Sequence, residues 1–451
     1  MRRGAPKFFL RAVSAAFAAI CFLPHFSDGL RAQQSDAYML DRLVKNGTLT
    51  ADEAADIKKQ TAECPVITAP NAEEITIFSY IQVRYSYTNE DFSKSYFGSA
   101  ARSDICLRRL IAAFTYKLKE STEFEVVLYP ADKNFLDTVT LTQRIDCGWL
   151  RGKLMMGYIM PNFSQEDYES GSRILTPERS LASSYWGGGD WSYESGDTID
   201  TFKATQCFSG RHMGVTWCGI FPDNDNLIYG FGITNSQCDR LEPTDGNGIS
   251  YWFNVGYEIR EDGFTLTAGV NSGYADKLMG AIDPGAVPPA QLVDYASTLG
   301  LNPYLWLKWG SFTLQTEGYA SRMAYGKTES AAYPIYTTNS ADAYPMGGYI
   351  LTAYNFDIGT LGGLEPVFRY TYLNSDGRGI DTSDIMYGVT SAGYLYNSAN
   401  AYYLGVNWYV RSNIIKYTAG WEHVDFQDAP VGPNYAGSSV DVFTIQMQIV
   451  F

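Results

Sequence analysis

The stretch Val442-Phe443-Thr444-Ile445-Gln446-Met447-Gln448-Ile449-Val450-Phe451 decides the fold. Phe443, Ile445, Met447, Ile449 and Phe451 share one parity, and Thr444, Gln446 and Gln448 share the other. A β-strand sends successive side chains to opposite faces, so this segment has one apolar and one polar face. A strand standing between lipid and water in a transmembrane barrel needs that pattern. The competing reading is an edge strand of a soluble sandwich.

The rest of the chain separates the two. Arg2, Arg3, Lys7 and Arg11 precede an apolar run from Ala12 to Leu23. That run suits a secretory h-region and falls short of the ~20 residues a spanning helix needs. Residues 1–32 are therefore expected to be a signal peptide. No other helix-length apolar span follows, so the exported chain is either soluble or crosses a membrane as strands. Aromatic residues reach 15% (Tyr 34, Phe 24, Trp 9), and there are 42 glycines. Aromatic girdles and frequent turns use those residues in membrane barrels.

Net charge is −15, and removing residues 1–32 takes away five basic residues and one acidic one, leaving −19. Such an acidic chain does not suit nucleic acid as a partner. In a barrel the acids belong to exposed loops. Of seven cysteines, Cys21 lies in the signal region, and no CxxC pair occurs among Cys64, Cys106, Cys147, Cys207, Cys218 and Cys238. The spacing expected of redox or zinc sites is missing. Six cysteines allow fifteen connectivities. A disulfide between Cys207 and Cys238 is one expectation, since both fall near the outer ends of strands.

Between Ser35 and Gln60 the pattern is helical. Leu40, Leu43 and Val44 recur at helix spacing, Asn46-Gly47 stops a first helix, and Thr50 with Glu53 opens a second as a capping box. Residues 33–70 thus read as a short periplasmic αα segment with a proline-bounded linker. A plug inside the barrel is the alternative. From residue 71 to 451 the pattern is strands. Sixteen alternating segments occur near 75–87, 104–119, 122–131, 136–145, 149–159, 211–221, 226–235, 249–260, 263–274, 300–309, 311–322, 345–357, 364–374, 400–411, 413–426 and 438–451. Tight connections such as Lys119-Glu120-Ser121, Asp146-Cys147-Gly148, Pro222-Asp223-Asn224-Asp225, Glu261-Asp262-Gly263 and Gly310-Ser311 alternate with longer polar ones. Short turns on one side and long loops on the other mark an all-β, 16-stranded antiparallel transmembrane β-barrel. Sixteen strands leave an aqueous lumen. The longest connection, roughly 160–210, is the one expected to fold inward and narrow it.

Several stretches carry a family likeness. Lys153-Leu154-Met155-Met156-Gly157-Tyr158-Ile159-Met160-Pro161 runs into Arg173-Ile174-Leu175-Thr176-Pro177-Glu178-Arg179-Ser180-Leu181. Together they resemble a strand, a proline and the Glu-Arg-Ser-Leu stretch of the phosphate-selective porin O and P family. Leu404-Gly405-Val406-Asn407-Trp408-Tyr409 with Asn413 resembles its penultimate hairpin, and Leu43–Thr50 resembles its helical start. The likeness is patchy but spreads over the whole mature chain. It implies an outer-membrane porin, a homotrimer, and passive diffusion of small hydrophilic solutes and ions, phosphate-like anions among them. No cofactor is implied. Terminal Phe451 resembles the signal read by the outer-membrane barrel assembly machinery. The dense lysine cluster that phosphate selectivity would call for is not seen.

A pore selects by charges ringed at its constriction. Alternation turns Gln82, Arg84, Arg109, Lys117, Lys119, Thr138, Thr140, Thr142, Arg144, Arg151 and Lys153 inward, with Glu123 and Glu125 beside them. The opposite wall offers Glu365, Arg369, Lys416 and Glu422, and the long loop adds Arg173 and Arg179. The bland reading is that these charges pair with one another and solvate the wall. Catalytic residues are not expected: His212 and His423 lack a nucleophile at motif spacing. No metal site is expected either, since Asp376, Asp381 and Asp384 read as solvated loop acids rather than Ca²⁺ ligands. Two other functions stay open, a channel for neutral oligosaccharides lined by Trp and Tyr, and a structural or adhesion barrel with an occluded lumen.

Overall fold

Period-two alternation makes strands that can bury neither face against the other, and a closed wall satisfies them all. A computed structural model describes residues 74–91, 100–119, 121–130, 135–148, 150–187, 208–236, 248–276, 279–282, 292–295, 297–324, 342–376, 380–381, 395–427 and 438–451. The expected signal peptide and the 33–70 helical segment lie outside these residues, as do Cys64, Cys207 and Cys238.

All sixteen expected strands are present. They are β1 (Glu74–Asp91), β2 (Ala100–Lys119), β3 (Thr122–Leu128), β4 (Leu136–Asp146) and β5 (Arg151–Ile159). Next come β6 (His212–Phe221), β7 (Asn224–Asn235), β8 (Ile249–Glu261) and β9 (Phe264–Ala275). Then follow β10 (Thr298–Trp309), β11 (Phe312–Met323), β12 (Met346–Tyr354, resuming at Phe356–Asp357) and β13 (Gly363–Asn374). The last are β14 (Ser398–Arg411), β15 (Ile415–Gln427) and β16 (Ser438–Val450). Each pairs antiparallel with its neighbours in chain order. β1 closes on β16 from Tyr80↔Val450 to Asp91↔Ser439. Closure leaves no edge strand, the condition for crossing lipid as β-structure.

The closing strand behaves as its alternation requires. Phe443 and Ile445 are exposed on the outside, while Thr444, Gln446 and Gln448 are buried inside. On β10 the same holds for Leu299, Leu301 and Leu305 against Asn302 and Tyr304. Exposed aromatics gather toward both rims, Trp309, Tyr354, Phe356, Trp408 and Phe451 by the short turns and Tyr85, Tyr87, Tyr274, Tyr344 and Phe443 by the long loops. Val83, Leu301, Ile350, Leu404 and Ile445 lie exposed between them. An apolar belt with aromatic girdles is the lipid-facing surface of a transmembrane barrel. Among the short turns, Asp262-Gly263 and Gly310-Ser311 need left-handed backbone, and Gly263 (φ 68) and Gly310 (φ 55) supply it. One turn is tighter than its sequence suggested: β7 begins at Asn224, leaving only Pro222-Asp223 between β6 and β7.

Candidate functional site

The connection after β5 folds into the barrel. Pro161 cannot donate to the ladder, so pairing stops there. Ser164 then caps a short helix, α1 (Gln165–Tyr168), by accepting from Asp167 N. A second helix, α2 (Leu181–Gly187), follows, and the chain is described again from Phe208. Aromatic rings press this loop onto the wall. Phe163 stacks on Phe208, from the loop's far end, at 4.4 Å, and both meet Trp252 of the wall edge-on (6.4 and 5.8 Å), while Trp186 stacks on Tyr319 of the wall at 5.2 Å. Gly300 makes room for the first pair: a Cβ there would stand 2.8 Å from both rings.

Polar side chains of the wall then take up the loop's backbone groups. Gln82 donates to Gly171 O (2.9 Å), Asn407 to Leu175 O (2.9 Å), and Asn271 to Phe163 O (3.0 Å). Asn413 and Gln448 both donate to Ser172 O at 3.0 Å. Lys416 donates to Ser172 O (3.2 Å) and Ile174 O (3.0 Å). Arg369 reaches Glu166, Thr176, Glu178 O and Glu422. Inside the loop, Arg179 caps α1 by donating to the carbonyls of Glu166, Asp167 and Glu169. An irregular segment inside a barrel needs such partners, because unpaired backbone groups out of water are costly.

The strongest charge cluster joins the loop to β1 and β2. Glu178 meets Arg84, Arg108 and Arg109, accepting from both Nε and Nη2 of Arg108. Burial pushes the Glu178 carboxyl up, but the three guanidiniums outweigh it and hold it well below the usual carboxylate range. Asp167 differs. Burial raises it to about 6 although Arg179 stands beside it. Arg108 was not expected inside. Gln82 pairs with Arg109 and Val83 with Leu107, so Arg108 is the extra residue of a β-bulge. Strict alternation would send Arg108 into lipid; the bulge lets two consecutive arginines face the lumen.

The sequence-derived site residues divide into two groups. Arg84, Arg109, Arg369 and Lys416 are buried between wall and loop, and Glu422 joins them through Arg369. Glu365 is buried nearby, accepting from Asn407 and Tyr409. Arg179 sits within the loop itself. Lys117, Arg144, Arg151 and Lys153 belong instead to the facing wall. There Arg144 pairs with Glu123 (2.6 Å), Arg151 with Asp225 (2.8 Å) and Lys117 with Glu74 (3.7 Å), while Lys153 is exposed. Thr115, Glu125 and Thr140 share that inward face by register. Arg173 projects from the loop, 68% exposed, and pairs with Glu169. Sequence reading missed Arg108, Glu166, Glu178 and Glu317. Two adjacent arginines in mid-strand are a usable signal for Arg108, and the Glu-Arg-Ser-Leu stretch holds Glu178; nothing local marks Glu166 or Glu317.

Other expected features are placed as follows. His212 Nδ1 lies 2.9 Å from Asn235 O, and His423 Nδ1 lies 2.9 Å from Asp441. Cys106, Cys147 and Cys218 carry free thiols. The Asp376 carboxylate accepts from Tyr344 N, and Asp384 lies outside the described residues. No cluster of three metal-ligating His, Cys, Asp or Glu side chains occurs among the described residues.

No family model matches the chain, and no curated protein matches it. Solved structures do. OprB from Pseudomonas putida superposes with a TM-score of 0.53 at 9% identity, covering 84% of this chain and 94% of that one. An anion-selective porin from Comamonas acidovorans gives 0.49 at 10% identity, covering 84% and 99%. The outer membrane channel DcaP of Acinetobacter baumannii gives 0.48 at 12% identity, covering 85% and 99%. At such identities the likeness to OprB speaks for the fold alone, and together with the closed wall and apolar belt it makes this chain a sixteen-stranded transmembrane barrel of the outer-membrane type.

Proposed function

We propose that this barrel is an outer-membrane porin through which small hydrophilic solutes and ions diffuse passively down their gradients. One observation carries the reading. The loop is pinned by buried hydrogen bonds toward β1, β2 and β9–β16, while the inward face of β2–β5 keeps an ionisable lining. An occluded structural barrel has no use for such a wall, whereas a water-filled passage does. The passage is bounded by Lys117, Glu123, Glu125, Arg144, Arg151 and Lys153 on one side and by Arg173 on the loop. Arg84, Arg109, Arg369 and Lys416 hold the loop in place and act on permeating ions only through the field they share with Glu178. Because Arg144, Arg151 and Arg173 each stand against a carboxylate, charge selectivity is weak. Phosphate-like anions, implied by the family resemblance, pass as one class among several. Inward-facing Trp252 and Tyr304 are buried, which disfavours a sugar slide. Homotrimeric assembly and insertion through Phe451 complete the proposal.

Planar-bilayer recording of the purified protein tests it. Discrete steps with a reversal potential near zero in a salt gradient are expected. Absence of steps from protein that has folded into bilayers would overturn the porin reading.

A further inference from the structure

Strand β11 puts one carboxylate, Glu317, under the loop, with only 2% of the residue exposed. Its Oε1 accepts from Glu166 N (2.7 Å) and the Tyr349 hydroxyl (3.0 Å). Its Oε2 accepts from Gln165 N (3.1 Å), Asn302 Nδ2 (3.0 Å), the Tyr319 hydroxyl (3.0 Å) and the Ser164 hydroxyl (3.3 Å). None of these partners is a Lys or Arg. Two are the first backbone N–H groups of α1, which have no partner within the helix. The wall therefore supplies, at the start of the loop, the acceptor that the loop's own backbone lacks.

The hold passes onward. Glu166, whose N–H is bound by Glu317, turns its own carboxylate to Ser180. It accepts from Ser180 N at 3.1 and 3.0 Å and from the hydroxyl at 2.6 Å, just before α2 begins. Arg369 reaches the same carboxylate from β13. Glu317 fixes α1, α1 carries Glu166, and Glu166 fixes α2.

We propose that Glu317 is the positioning residue of the constriction, setting how far the loop stands into the lumen and hence the width of the passage. The inference rests on the porin reading and deepens it. A glutamine cannot replace the carboxylate here. Its carboxamide keeps one acceptor oxygen and turns two hydrogens toward groups that are themselves donors. An aspartate keeps the charge but falls one methylene short of α1.

The test compares full-length protein with Glu317→Gln and Glu317→Asp, each folded into bilayers and first checked for intact β-structure. Two readouts are taken. Backbone exchange within residues 160–187 should quicken about tenfold or more in Glu317→Gln, the scale expected when hydrogen bonds to a charged acceptor are lost. Exchange in β14–β16 should stay as it was. Single-channel conductance should rise and grow noisy, and Glu317→Asp should fall between. Unchanged loop exchange and conductance in folded Glu317→Gln would overturn the proposal. So would exchange that quickens equally in loop and strands, which would mean a role in general stability only. If the unsubstituted protein does not conduct, the porin reading fails, and the exchange readout still decides whether Glu317 holds the loop.

Discussion

Replacing Glu178 by glutamine should make the passage prefer anions. In the native protein one carboxylate stands among Arg84, Arg108 and Arg109. The Glu178 side chain is 24% exposed and that of Arg108 16%, so the cluster is partly open to water. Removing the charge leaves three guanidiniums facing a permeating ion with no counter-charge from the loop. An ion passing about 6 Å away in water-like dielectric feels a change of about 0.7 kcal/mol, and salt near 0.1 M reduces this to roughly half. Anions gain what cations lose, so the permeability ratio should move about three- to tenfold, or on the order of 25 mV of reversal potential in a tenfold salt gradient. Arg108→Gln should move it the opposite way. Loosening of the loop alone would raise conductance without this opposed pair of shifts. Reversal potentials that stay put, or that move together in both variants, would refute the reasoning.

Asp167 should make the loop firmer under mild acid. Its raised pKa means the folded protein holds a proton that the unfolded chain releases, so stability grows as pH falls from about 6 toward the ordinary aspartate range near 3.8. Protection within 160–187, measured relative to the intrinsic amide exchange rate at each pH, should rise from pH 7 to 5, and Asp167→Asn should reduce that rise. The Glu178 clamp behaves oppositely, staying charged until pH falls well below the usual carboxylate range, so it should survive the same acid step. Arg179→Gln strips the donors from the carbonyls of Glu166, Asp167 and Glu169 and should destabilise the loop by about 1.5–3 kcal/mol, read as faster proteolysis within 160–187 in an intact barrel. Deleting Arg108 should be tolerated, because Leu107 then precedes Arg109 in regular alternation. Deleting Ile111 instead should block assembly, since every side chain beyond it in β2 changes face.

What the sequence made legible follows from what each residue answers to. A strand residue on the lipid face answers only to its own parity, so Ile445 or Leu404 could be placed from a period of two, and sixteen such segments close a ring. Lumen residues answer to the same parity but also to whatever occupies the lumen. Arg84, Arg369 and Lys416 have the lumen parity, but their burial depends on a loop some 90 to 240 positions away in sequence, as Arg84 with Glu178 and Lys416 with Ser172 show. No local pattern encodes that meeting. Glu317 shows the limit most clearly, since an acid at an inward position reads as a solvated wall charge until α1 arrives above it. Arg108 lies between these cases. Its placement is local, yet strict alternation misassigns it, because the rule counts residues and the ladder counts pairs. The physical cost was nonetheless visible in advance: a guanidinium at mid-bilayer costs roughly 2–4 kcal/mol. A second arginine in mid-strand therefore predicts a bulge wherever one face of the strand is lipid. Charge in the sequence can thus report backbone irregularity, and here it does so at the place where the loop's one carboxylate among the arginines is received.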